Sequence, residues 1–168
     1  MSFVGIICAP KQEGYIKQVL NSNLCAENVI ILKEDNIDNF KNITFETIAI
    51  FSNHADTFQK KEILPQMMEK TKYFVINADE DISQECMRSL KGNVITYGFN
   101  SKSTVTASSV NEESILICLQ RTITNRMGKQ MEPQEICIPY IEHKVNTLTI
   151  MGVVSVLFIY GKEQICWK

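Results

Sequence analysis

The sequence predicts an α/β protein: a mostly parallel, three-layer, Rossmann-like sheet with a small antiparallel β extension and a buried C-terminal helix. Three observations predict it. Short apolar runs alternate with helix-spaced segments across the first hundred residues, as in doubly wound sheets. After Gly98 the pattern changes to extended segments separated by turn residues. Residues 148–160 are then apolar at nearly every position, as expected of a helix enclosed by protein on all sides.

Each element follows from its residues. Residues 3–8 form an apolar run suited to a buried parallel strand. Ala9 to Gly14 reads as a turn, and Tyr15, Ile16, Val19 and Leu20 then fall at helical spacing. Residues 29–32 and 47–51 are the second and third strands, with one short helix in the polar stretch between them. Residues 60–72 read as a helix with Ile63, Leu64, Met67 and Met68 on one side, and Pro65 is tolerable only near its first turn. Residues 73–76 and 94–97 are the fourth and fifth strands, with a short helix at 83–90 capped by Asp81 or Ser83. Three antiparallel segments follow at 104–110, 115–124 and 135–140, turned by 111–114 and 126–129. Residues 145–160 return to helix, with Gly152 expected at a close contact. The organisation is one domain over residues 1–168: an α/β core to 100, antiparallel strands over 101–141 and the helix over 143–161.

Composition excludes several function classes. Seventeen Lys and Arg against nineteen Asp and Glu leave a net charge of −2, so no basic surplus exists to displace counterions from nucleic acid. The N-terminus lacks the basic start and long apolar core of a signal peptide, and the apolar stretch near the C-terminus is shorter than the ~20 residues of a bilayer span. The six cysteines stand at 8, 25, 86, 118, 137 and 166, without a CxxC pair or zinc spacing, and several lie inside apolar runs. They read as reduced thiols of a cytoplasmic protein. Cys8, between the first strand and the first helix, is open to two readings: a core cysteine or a thiolate stabilised by a helix N-terminus.

Four pieces in order resemble the central, ATP-binding domain of the Mur ligases, the ATP-dependent amide-forming enzymes of peptidoglycan synthesis. They are Val75-Ile76-Asn77-Ala78-Asp79-Glu80, Val94-Ile95-Thr96-Tyr97-Gly98, Val105-Thr106-Ala107-Ser108-Ser109-Val110, and Ile136-Cys137-Ile138-Pro139 followed by His143 and Asn146. They are similar, respectively, to the family's "VINADD" strand end, its "ITYG" strand, its "A-x-N-I" stretch and its "L-P-G-x-H-N-x-x-N-A" helix opening. The resemblance spans residues 73–161.

Its departures bear on function. The family carries a P-loop, G-x-x-G-K-[ST], after its first strand, where glycine-flanked N–H groups and a lysine hold phosphates. Here the turn is Cys8-Ala9-Pro10-Lys11-Gln12-Glu13-Gly14: one late glycine, a proline without an N–H, no Lys-Ser/Thr pair, and Glu13 where triphosphate would sit. Lys11 is a loop lysine or a remnant phosphate ligand. The adenine-contacting element is altered too, because Lys144 replaces its first asparagine and Asn146 comes one residue early. The family's carbamylated, magnesium-holding lysine precedes its "VINADD" asparagine by some sixteen residues, which the resemblance carries onto Lys61, sixteen before Asn77. Asn53, His54 and Asp56 loosely match an upstream "N-x-x-x-D-H" stretch. Asn77, Asp79, Glu80 and Asp81 end a strand where α/β folds take ligands, and they read either as a weak magnesium site or as a solvated, helix-capping loop. The family's N-terminal substrate domain and mobile C-terminal domain have no counterpart in these residues.

The expectation is therefore a degenerate, stand-alone Mur-ligase-like domain, a pseudoenzyme without catalytic residues, resident metal or cofactor. It would bind an unidentified protein partner or itself, and neither nucleic acid nor membrane. A vestigial crevice would comprise Lys11, His54, Lys61, Asn77, Asp79, His143 and Asn146. The alternative is a residual nucleotide-binding protein or ATP-dependent ligase-related enzyme of peptidoglycan precursor metabolism, with ATP and Mg²⁺ as its cofactors.

Overall fold

A computed structural model describes residues 2–25, 27–51, 63–80, 88, 90–139 and 145–167. Strands β1 (Phe3–Ile7), β2 (Asn28–Ile31), β3 (Thr47–Ile50), β4 (Tyr73–Asn77) and β5 (Asn93–Tyr97) pair in parallel. They belong to an eight-stranded sheet of order β10-β7-β6-β5-β4-β3-β1-β2. The central strands are apolar on both faces because both faces are covered. On one face, Val4, Ile6, Ala49 and Val75 meet helix α1 (Pro10–Asn23) and helix α3 (Thr147–Ile159). On the other, Ile7, Ile48, Ile50 and Phe74 meet Ile37 of a 3₁₀ turn (Ile37–Phe40), Phe45, and Leu64, Met67 and Met68 of α2 (Ile63–Glu69). This is the three-layer architecture expected. The helix foreseen over 60–72 ends earlier, at Glu69: Lys70 and Thr71 N–H close on Met67 O and Met68 O in a tightened last turn, while 60–62 and most of the helix foreseen over 83–90 lie outside the described residues.

The antiparallel strands form the extension expected. β6 (Val105–Val110), β7 (Ser114–Leu119) and β10 (Gln134–Pro139) continue the main sheet past β5. Tyr97 pairs with Val105, so β6 takes up where β5 ends. Thr104 N–H donates to Thr96 Oγ1 (3.0 Å) and Gly98 N–H to the Val105 carbonyl (3.1 Å), pinning the connection beside the strand it leaves. The run expected at 115–124, however, divides in two. β7 stops at Leu119, and β8 (Ile123–Thr124) pairs instead with β9 (Gln130–Met131) in a separate hairpin. Asn125 Oδ1 shapes the hairpin's turn by accepting from Met127 N–H and Lys129 N–H, both at 3.0 Å.

Arg126, on that turn, ties the hairpin to the core. Its Nη1 donates to Glu27 Oε1 (2.5 Å), Glu46 Oε2 (3.1 Å) and Ser2 Oγ (3.0 Å). Its guanidinium lies 4.7 Å from the Tyr160 ring centroid, and Ser2 Oγ donates to Glu27 as well. Ser2, Glu27 and Glu46 each stand just before a parallel strand, so one cation gathers the N-terminal ends of β1, β2 and β3.

α3 is buried without interruption from Thr149 to Ile159. Both of its buried hydroxyls are bonded, Ser155 Oγ to the Met151 carbonyl and Thr149 Oγ1 to Asn146 Oδ1, each at 2.8 Å, so neither is stranded. Its C-terminus closes with Gly161 in the left-handed region (φ +70°), where Gly161 N–H reaches Phe158 O and Lys162 N–H reaches Leu157 O, both at 3.0 Å. Gly152 sits at the close contact foreseen for it: a Cβ there would stand 2.6 Å from Phe51 Cε1. Among the described residues no helix is long and apolar enough to cross a membrane.

Candidate functional site

Strand order reverses direction at β1, which has β2 on one side and β3 on the other. Open α/β sheets take ligands in the crevice outside such a switch point, at the strands' C-terminal ends. Cys8 and Ala9 follow β1 there, and Phe51 follows β3. Asn77 ends β4 farther along the same rim.

The β1–α1 connection is two residues, Cys8 and Ala9. The turn expected over 9–14 is instead the opening of α1, and the reason is local. Proline at the first helical position has the right φ and no N–H to lose. Gln12, two positions on, accepts the Ala9 N–H at Oε1 (3.1 Å). Ala9 has no side-chain acceptor, so only this half of a capping box forms. The other end of the Gln12 amide donates to Thr149 Oγ1 at 2.6 Å. Thr149 Oγ1 donates to Asn146 Oδ1 at 2.8 Å, and the same oxygen caps α3 by accepting Thr149 N–H at 2.9 Å. Gln12 and Thr149 are both buried. The N-termini of α1 and α3 are thus joined by a closed chain of side-chain hydrogen bonds.

Electrostatics around α1 are internally balanced. Glu13 in its first turn pairs with Lys33 Nζ at 2.9 Å, and that hydrogen bond holds the lysine above its ordinary range. Burial, with Glu13 adding to it and Lys33 opposing, pushes the Cys8 thiol up to about 12. Of the two readings of Cys8, the geometry selects the buried core thiol over a helix-stabilised thiolate.

The β4 end is equally committed. Asn77 is buried, and its Oδ1 accepts Asp79 N–H at 3.0 Å. Asp79 is exposed, but both carboxylate oxygens hold the loop after β5: Oδ2 accepts Phe99 N–H (2.6 Å) and Oδ1 accepts Asn100 N–H (2.9 Å). Gly98 makes the approach possible. Its φ is +153°, and a Cβ would stand 2.7 Å from Asp79 Oδ1.

Of the candidate residues, Lys11 stands exposed on the first turn of α1, Asn77 and Asp79 shape the β4–β5 rim, and Asn146 caps α3. His54, Lys61 and His143 lie outside the described residues. Asn77 meets Asp79 directly, and Asn146 meets the α1 terminus through Thr149 and Gln12. The bond from Gln12 to Thr149 is not legible in the sequence, because the two are 137 positions apart. Arg126 was legible only as a turn residue for the same reason.

ATP and Mg²⁺, which the resemblance implies, can be tested against these groups. A phosphate cradle needs successive free N–H groups. Here Pro10 has none, Ala9 N–H is taken by Gln12, and Gln12 N–H is taken by Ala9 O (2.9 Å). The β1–α1 connection therefore offers no run of free N–H groups to a phosphate. Among the described residues no cluster of three His, Cys, Asp or Glu side chains has metal-binding geometry.

No curated protein sequence is similar enough to the chain to count as a match. A family match does exist: the Mur ligase middle domain matches residues 33–137. It begins just after β2, leaving the β1–α1 connection outside, and runs through the 3₁₀ turn to β10. It covers well over half of the 168 residues and, with the parallel sheet and its β6–β7–β10 continuation, it shows that the chain belongs to the Mur ligase middle domain family.

Proposed function

We propose that this domain is a non-catalytic member of its family, a binding or structural module that acts through its surface on a protein partner or on a second copy of itself. The observation that carries the reading is the two-residue β1–α1 connection with its side-chain seal, Ala9–Gln12–Thr149–Asn146. Phosphoryl transfer is catalysed almost wholly by positioning and charge stabilisation. It needs a cradle, a cation beside the γ-phosphate and a held metal. In this chain the cradle's place is occupied by a capped helix start, the nearby Lys33 is committed to Glu13, and Asp79 is committed to backbone N–H groups. Losing one such stabilising group typically costs ~10²–10³ in rate, and several are lost together. The proposal includes a cytoplasmic setting, no bound cofactor, and no role in nucleic-acid or membrane binding.

The second reading is favoured by family membership alone: a residual nucleotide binder, or a ligase-related enzyme linked to peptidoglycan precursors. Thermal unfolding with Mg-ATP, Mg-ADP and UDP-linked cell-wall precursors, alongside a phosphate-release assay, separates the two. A ligand at ~100 times its Kd stabilises by ~2.7 kcal/mol, a readily measured shift. The expected result is no shift and no phosphate release. Turnover above background that disappears in Lys11→Ala or Lys61→Ala overturns the non-catalytic reading and installs the second.

A further inference from the structure

We draw no further inference here: the strongest candidate, the groove of about 580 Å³ between β10 and the C-terminal tail, lined by Ile136, Pro139, Ile165 and Trp167, is an unpartnered apolar surface, and nothing in the structure shows what covers it.

Discussion

Two glycines show how the surroundings of a residue decide the sign of a substitution. Gly14 and Gly152 both lie inside helices, where alanine is favoured over glycine by up to ~1 kcal/mol. A Cβ on Gly14 meets nothing within 4 Å, so Gly14→Ala should stabilise by roughly 0.5–1 kcal/mol. A Cβ on Gly152 meets Phe51 Cε1 at 2.6 Å and Tyr97 Cζ at 3.1 Å, inside a core where neither ring can swing clear. Overpacking of this kind costs ~1–3 kcal/mol, which exceeds the propensity gain, so Gly152→Ala should destabilise. Urea denaturation of the two variants checks both signs, and a stabilised Gly152→Ala would show that the contact yields. Cys8 gives a residue-scale dependence on pH. Burial raises the folded-state pKa of Cys8 from 9.0 to about 12, and that of Tyr15 from 10.0 to about 12. The unfolded chain therefore ionises first. The stability linked to these groups is full below about pH 9 and is lost as pH rises toward about 12. Denaturation midpoints should fall across that window, and Cys8→Ala should flatten the fall. Superimposable pH profiles for the two proteins would remove Cys8 as its source. In the native protein at pH 8, a maleimide should label the exposed Cys25, Cys137 and Cys166 well before Cys8.

Among the elements, the β8–β9 hairpin depends most on a single side chain. It pairs with no strand of the main sheet, and Arg126 supplies its ionic link to the core. The Glu27 side chain is only 8% exposed, so removing the cation leaves a carboxylate with little water to compensate. Arg126→Met should cost about 2–4 kcal/mol, below the extreme for fully buried pairs because the arginine keeps some contact with solvent. Hydrogen exchange should locate the damage, with amides of 123–131 losing protection ahead of those in β3 and β4. Adding Glu27→Gln and Glu46→Gln to Arg126→Met should recover part of the loss, and strictly additive costs would refute the coupling. Legibility in the sequence follows the same division between local and distant causes. β1, β3 and β4 are readable because buried parallel strands are continuous apolar runs, and α3 because it is apolar all round. The start of α1 was misplaced because Ala9-Pro10 reads equally as a turn and as a helix opening, and Gln12 decides between them. The antiparallel extension was legible from the change of pattern after Gly98, but the Thr96–Thr104 hydrogen bonds that pin it beside β5 were not. Asn77 and Asp79 could be placed at a strand end from sequence, but the hold of Asp79 on Phe99 and Asn100 could not.

At the scale of the whole molecule, the segment that matches the family is not the segment that can fold alone. The match covers 33–137 and leaves out β1 and α3. β1 lies inside the sheet, between β3 and β2, so its removal bares the β3 edge along Thr47–Ile50, where every residue is buried. α3 packs against β3, β4, β5, β6, β7 and α1, so its removal uncovers that face of the sheet from β3 to β7, including Val75, Ile95, Val105 and Ile117. Each large aliphatic or aromatic side chain returned to water costs ~1.5–3 kcal/mol, and a domain's total stability is only ~5–15 kcal/mol. A handful of such exposures exhausts that margin, and α3 alone buries Ile150, Met151, Val153, Val154, Val156, Leu157, Phe158 and Ile159. The fragment 33–137 should therefore show no cooperative unfolding transition and should bind a hydrophobic dye at room temperature, whereas 2–167 should melt in one step. A fragment 2–139 that restores β1 but not α3 should behave like 33–137, because the uncovered face is the larger loss. A sharp two-state melt from 2–139 would mean that the sheet and α1 form a sufficient core, and would demote α3 from the centre of the fold to a helix docked upon it.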